Sequence, residues 1–312
     1  MNIKKITAAI AALAVSVTAV SVTAFAHPKW KGVPIISKYF PSRFFREYIS
    51  ENYDTDSNGY LSKSEAAAIT ELNFDYNEKL DSLKGIEHFP NLEKLSCVSC
   101  KLKKLDLSKN TMVKEVNCDG NDINFLDIGE SSELETLDCQ FNCLTSLDVS
   151  GHTKLKYLDC YYNGLRHLNV SGNTALEFLC CDSNELSVLD LSGAPNIEIL
   201  RCGGNWLNEL DLSKNTKLKE LYCPYNHIEK LNVTKSPDLK ILECNNNHCI
   251  EVLDISGNVM LESLNCEENR ITVLNIRNNL LLSELNCDCD VEIIKSDENQ
   301  EISRKERFLP YV

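Results

Sequence analysis

The residues best suited to chemistry sit in one twelve-residue stretch, D-T-D-S-N-G-Y-L-S-K-S-E, residues 54 to 65. Asp54, Asp56 and Asn58 place side-chain oxygens at its first, third and fifth positions, and Gly59 supplies the sharp bend at the sixth. Tyr60 offers a backbone carbonyl at the seventh, Ser62 a hydroxyl at the ninth and Glu65 a two-oxygen carboxylate at the twelfth. Hard oxygen donors at this spacing suit calcium, a large cation that accepts many ligands, whereas magnesium holds its water too tightly. The bland alternative is a polar turn between two helices that binds no metal. Phe44, Phe45, Tyr48, Ile49 and Tyr53 can line one side of a preceding helix with Ser42 as its cap. Ser62 and Glu65 form a capping box for a second helix, expected to run through Ile69.

No comparable constellation marks a catalytic centre. The six histidines, His27, His88, His152, His167, His227 and His248, fall in no H-E-x-x-H pattern, and no G-x-S-x-G or glycine-rich phosphate loop occurs. The chain is therefore read as no enzyme. A formal charge of −14 over 312 residues repels phosphate backbones and anionic lipid heads, so nucleic acid is not an expected partner. Residues 1–26 open with two lysines, continue as an uncharged Ala/Val/Ser/Thr run and close on Ala24-Phe25-Ala26. That pattern is a secretory signal, with an uncleaved anchor as its alternative. The expected location is secreted or at the cell surface, without membrane insertion after cleavage.

A unit of the form L-x-x-L-x-C-x-x-N-x-L-x-x-L-D-(L/V)-S recurs from Leu92 at a step of 21 residues, through Val113, Leu134, Leu155, Leu176, Ile197, Leu218 and Leu239. One extra residue in the unit containing Cys249 moves the next starts to Leu261 and Leu282, and the last unit is cut short after Asp290. Each unit holds two short alternating stretches, which read as extended pieces. A lone unit cannot fold. Five buried aliphatics at about 2 kcal/mol each fall short of about 1 to 2 kcal/mol of backbone entropy for every residue ordered. Stacked coils close that gap, so a one-dimensional solenoid is expected.

The segment LKYLDCYYNGLRHLNVSGNTA, residues 155–175, resembles a leucine-rich repeat of the short bacterial kind with nested halves, found in exported and surface proteins including the internalin-like group. The resemblance implies a repeat solenoid with a parallel β-sheet on its concave face, mostly β and irregular, and a small α-helical N-terminal cap. The loop at 54–65 resembles an EF-hand calcium loop. Such loops usually come in pairs, and a single one implies weak affinity, on the order of 10⁻⁴ to 10⁻³ M, and a structural duty in the cap. The resulting organisation is a signal peptide (1–26), a linker (27–41), a helical cap with transition into the first coil (42–91), ten repeat starts (92–294), and a polar C-terminal tail or cap (295–312). Leu72, Phe74, Leu80, Leu83, Ile86 and Phe89 make the transition.

Three columns recur along the repeats. The asparagines Asn121, Asn142, Asn163, Asn184, Asn205, Asn226, Asn247 and Asn269 should bond backbone in the bend after each strand. Asp106, Asp127, Asp148, Asn169, Asp190, Asp211, Asn232, Asp254 and Asn275 mix acids with amides, which favours turn chemistry over a cation ladder. The cysteines Cys97, Cys118, Cys139, Cys160, Cys181, Cys202, Cys223, Cys244, Cys266 and Cys287 take inward slots. Parallel neighbours about 4.8 Å apart do not converge as a disulfide requires, so buried thiols are expected. Cys180 should face outward. On the same outward face Tyr157, Phe178 and Ile199 follow one another, with Tyr161, Arg201 and Tyr222 beside them and Tyr162, Trp206 and Tyr225 toward the rim. Exposed aromatics beside an arginine and acids have the composition of a binding hot spot for a protein or glycan ligand. A self-satisfied aromatic stack is the alternative, as is a structural envelope component or spacer with no ligand.

Overall fold

The computed structural model describes residues 32–298. The proposed leader at 1–26 and most of the proposed tail at 295–312 lie outside these residues. Eleven strands form one parallel sheet whose spatial order follows the sequence without crossover, from Glu71–Asn73 to Glu284–Asn286. Partners sit one repeat apart, as in Tyr157 with Phe178, Leu158 with Leu179 and Asp159 with Cys180. Each strand contributes three residues, the shortest piece whose central side chain points inward while both flanks point out. The returning half of each coil is mostly irregular, with short parallel pairs such as Ser146–Asp148 with His167–Asn169. Among the described residues, this architecture is a parallel leucine-rich-repeat solenoid.

The core is a stack of columns. Leu95, Val116, Leu137, Leu158, Leu179, Leu200, Leu221, Leu242, Leu264 and Leu285 are all buried, and so is the cysteine column from Cys97 to Cys266. Every cysteine is a free thiol, and Cys287, beside the last strand of the long sheet, is half-buried. Burial pushes the inner thiols up, that of Cys244 to about 12, so the reactive thiolate is not populated.

The asparagine column holds successive coils together. Asn184 Nδ2 donates to the carbonyls of Cys160 at 3.0 Å, Cys181 at 3.1 Å and Asp182 at 3.2 Å, and its Oδ1 accepts the Leu165 N–H at 3.0 Å. One amide thus joins two coils at four backbone groups, and among the described residues it is the only acceptor for the buried Leu165 N–H. A second set ties the coils at the opposite bend by donation alone: Asn173 donates to Val149 O at 2.7 Å and His152 O at 3.2 Å. The Asp/Asn column instead caps its own turn, with Asp190 Oδ1 accepting the Ser192 N–H at 2.9 Å.

The N-terminal cap differs in detail from the expectation. Helix α1 spans Arg43–Asn52, buries Phe45 and Ile49, and has Ser42 at its N-cap position, but the Ser42 side chain makes no cap bond. Helix α2 is Lys63–Ala67, ending before Ile69, with the Ser62/Glu65 capping box intact. Within the stretch expected to be a linker, residues 32–41 are packed on the cap. Val33–Pro34 (β1) pairs antiparallel with Tyr60–Leu61 (β2) inside the acidic loop, and Phe40 is fully buried. Gly32 is needed there, because a Cβ would collide with the Leu61 carbonyl oxygen. Phe74 is packed edge-on by Tyr48 at 4.9 Å and Phe45 at 5.8 Å. The transition segment is itself a coil, since Glu71–Asn73 (β3) pairs in register with Lys94–Ser96.

Truncating an amide that ties two coils should cost far more than removing a turn carboxylate. Asn184→Ala is expected to lower the stability measured by urea denaturation by about 2 to 4 kcal/mol, and Asp190→Ala by about 1 kcal/mol or less.

Candidate functional site

The acidic loop draws its carboxylates together. Asp54, Asp56 and Glu65 each offer an oxygen, and these oxygens lie within 4.8 Å of one another. Backbone donors fix them: Asp54 Oδ1 accepts the Asn58 N–H at 3.0 Å and Oδ2 the Gly59 N–H at 2.9 Å. Asn58 Oδ1 takes the Tyr60 N–H at 2.8 Å, while its Nδ2 donates to Asp56 Oδ2 at 2.7 Å. Glu65 is buried, and burial alone would push its carboxyl up. The Ser62 N–H at 2.8 Å and the Thr55 N–H and hydroxyl, both at 2.7 Å, outweigh that and hold it at about 2. The Ser62 hydroxyl accepts the Glu65 N–H at 3.2 Å, so it serves the helix cap. Three converging carboxylate oxygens, braced by backbone donors, match the donor chemistry of a hard divalent cation. The loop is braced from outside as well, since Ile35 N–H donates to Gly59 O at 3.0 Å beside the β1–β2 pair.

The six sheet-face residues are neighbours in space. Tyr157 and Phe178 stack face to face, centroids 4.5 Å apart and planes 5° from parallel, and Ile199 pairs in register with Phe178. Arg201 lies over the Tyr222 ring, 4.5 Å from its centroid, and pairs with Asp182 Oδ2 at 3.2 Å. Tyr161 meets Phe141 edge-on at 5.0 Å. Tyr162, Trp206 and Tyr225 are exposed. Cys180 meets the expectation in direction but not in exposure. It does lie on the outward side of its strand, yet it is buried beneath its neighbours, and burial with the adjacent Asp159 pushes its thiol up to about 12. It is not a reactive site.

This face is unevenly charged. Asp138 and Asp159 are register partners on adjacent strands. Burial, reinforced by Asp159 and Asp119, raises the Asp138 carboxyl from 3.8 to about 6, although Gln140 donates to it. Asp182 is also raised, chiefly by burial, against the pull of Gly203 N–H and Arg201. Asp182, Gly203 and Gly204 belong to the same cavity as Tyr161 and Tyr222. The signal for them was available as a break in a column: after the cysteines come Gln140, Tyr161, Asp182, then Gly203 with no side chain at all.

No family model and no curated protein matches this chain. Among solved structures it is similar to the functional domain of InlJ from Listeria monocytogenes, which includes a cysteine ladder, with TM-score 0.73 and 28% identity over 88% of this chain and 63% of that one. The chain thus spans less than two thirds of that structure's length. It is also similar to the leucine-rich repeat domain of APL1B, with TM-score 0.58 and 21% identity over 72% of each chain. The LRIM1/APL1C complex matches with TM-score 0.52 and 19% identity, over 76% of this chain and 57% of that one. The last two likenesses concern the fold alone. With the in-register solenoid, the first supports an internalin-like leucine-rich-repeat protein.

Because the folded state holds a proton on Asp138 that the unfolded chain releases, this residue favours folding at low pH, and its contribution is lost as pH rises from about 4 through about 6. Asp138→Asn should therefore melt higher than the parent at pH 7.5, with the difference vanishing near pH 4.

Proposed function

We propose that this chain is an exported, non-enzymatic binding module that takes a protein or glycan ligand on the face of its long sheet, with calcium stabilising the N-terminal cap. The observation that carries the reading is the half-buried Tyr157/Phe178 stack, continued by Ile199 and bordered by Tyr161, Arg201 and Tyr222. Aromatic and arginine side chains held rigid on a backbone scaffold present large contact area at little entropic cost on binding. The likeness to the InlJ domain supports the choice of a leucine-rich-repeat binding module. Export rests on the leader pattern in residues 1–26. Among the described residues, no helix is long and apolar enough to cross a membrane.

In the cap, Asp54, Asp56 and Glu65 would hold the cation, with the Asn58 side chain, the Tyr60 carbonyl and Ser62 completing the set. A bound calcium ion supplies the positive charge that three clustered carboxylates otherwise lack. Joining α1, β2 and α2 through one ion would resist fraying of the first coil, whose Phe74 packs on α1 residues.

Two measurements check these assignments. At about 10 mM calcium, a dissociation constant of about 10⁻⁴ to 10⁻³ M corresponds to a gain of about 1.4 to 2.7 kcal/mol. The melting temperature should accordingly fall on chelation in the parent and stay put in Asp54→Asn/Glu65→Gln. A parent indifferent to calcium would remove the metal assignment. For the face, Tyr157→Ala/Phe178→Ala should keep the fold by circular dichroism and weaken ligands captured by the parent at least tenfold; undiminished binding would count against the surface.

A further inference from the structure

Two residues follow each column cysteine at the end of each long-sheet strand. They are Gln140 and Phe141, then Tyr161 and Tyr162, and further along Pro224 and Tyr225. Between these, two successive coils carry Asp182 with Ser183 and Gly203 with Gly204, so the run of rings is interrupted. With coils about 4.8 Å apart, the missing side chains open a slot about 10 Å long. A cavity of about 680 Å³ lies there, with Tyr161 and Phe178 toward one end and Tyr222 and Tyr225 toward the other. Its volume is within the range of pockets that hold small ligands or anchoring side chains.

The charges around the slot do not balance. Asp159, Asp182 and Glu243 line it with a single cation, Arg201. That guanidinium is already engaged, paired with Asp182 and laid over Tyr222. Asp159 is more than nine-tenths buried. Its Oδ1 accepts the Tyr161 N–H at 2.9 Å, but its Oδ2 has only the Tyr157 hydroxyl at 3.4 Å. Among the described residues neither Asp159 nor Glu243 has an ion-pair partner. A buried carboxylate without a counter-charge is costly, and a cation entering the slot would relieve that cost. Ring faces add attraction for the same sign of charge. An anion would meet two uncompensated acids, and a neutral sugar would leave the buried charge unanswered.

We propose that this slot recognises a basic side chain, lysine or arginine, presented by a protein ligand. The proposal rests on the sheet face being a binding surface and names the chemistry of what it binds. The acidic chain as a whole would draw a basic partner toward the slot.

Calorimetric titration of the full chain tests the proposal, using a capped serine-glycine heptapeptide with two arginines against the same peptide with neutral citrulline in their place. The arginine peptide should bind at least tenfold more tightly and weaken as salt is raised. Asp159→Asn, which keeps an acceptor for the Tyr161 N–H, should weaken it at least tenfold. So should Ser183→Tyr, which refills the slot. Tyr162 and Tyr225 already occupy the equivalent position at φ 50° and 54°, against 56° for Ser183, so the backbone accepts that change. No binding of the arginine peptide at millimolar concentration, equal binding of both peptides, or indifference to both variants overturns the proposal. Saturation by maltohexaose in place of the arginine peptide overturns it in favour of a glycan slot. Any of these, alongside ligand loss in Tyr157→Ala/Phe178→Ala, would leave the binding face standing and remove only its cation specificity.

Discussion

The rest of the structure depends on hydrogen bonds made by buried asparagine amides between coils. A coil of this length cannot bury enough apolar surface alone, so each depends on its neighbour. Leucine and cysteine columns provide the apolar contact but no directional constraint. The amides supply that constraint: Asn184 bridges the backbones of two coils, and Asn173 bridges the bends on the other side. A slip of one residue would strand these donors and turn the leucines outward, which is why strand partners stay one repeat apart along the sheet.

That regularity creates the functional face. Outward positions are not needed to close the core, so their side chains are free to differ from coil to coil. Register then turns a difference in sequence into adjacency in space. Tyr157, Phe178 and Ile199 are far apart along the chain but consecutive across it. The same logic places acids side by side, and Asp138 next to Asp159 shows the electrostatic cost of doing so on a half-buried face. Exposed cross-coil pairs such as Lys156 with Glu135 reflect the same register and contribute little, being open to solvent.

Much of this was legible in the sequence because a repeat aligns itself. The solenoid, the inward thiols, the amide column and the capping box all followed from spacing, and Tyr157 beside Phe178 followed from the step of 21. What escaped depended on volume and on contacts outside the repeat. Alternation placed Cys180 on the outer side correctly, but alternation says nothing about neighbours large enough to cover it. The pairing of Val33–Pro34 with the acidic loop joins segments with no shared pattern. The slot at Gly203 and Gly204 is visible only when glycine is read as a missing wall between rings. The Ser42 side chain occupies a cap position without bonding there, because residue type marks a helix start more surely than it fixes a rotamer.

The free thiols have a consequence for the time before the coils close. Once stacked, the inner sulfurs are held apart and protonated, so oxidants and exchange partners find little to attack. The newly made chain has no such shelter: it offers a sulfur roughly every coil, each able to join any other. Its hazard is thus kinetic, a race between coil closure and wrong cross-links, and rapid zippering from a preformed end would be the safest way to win it.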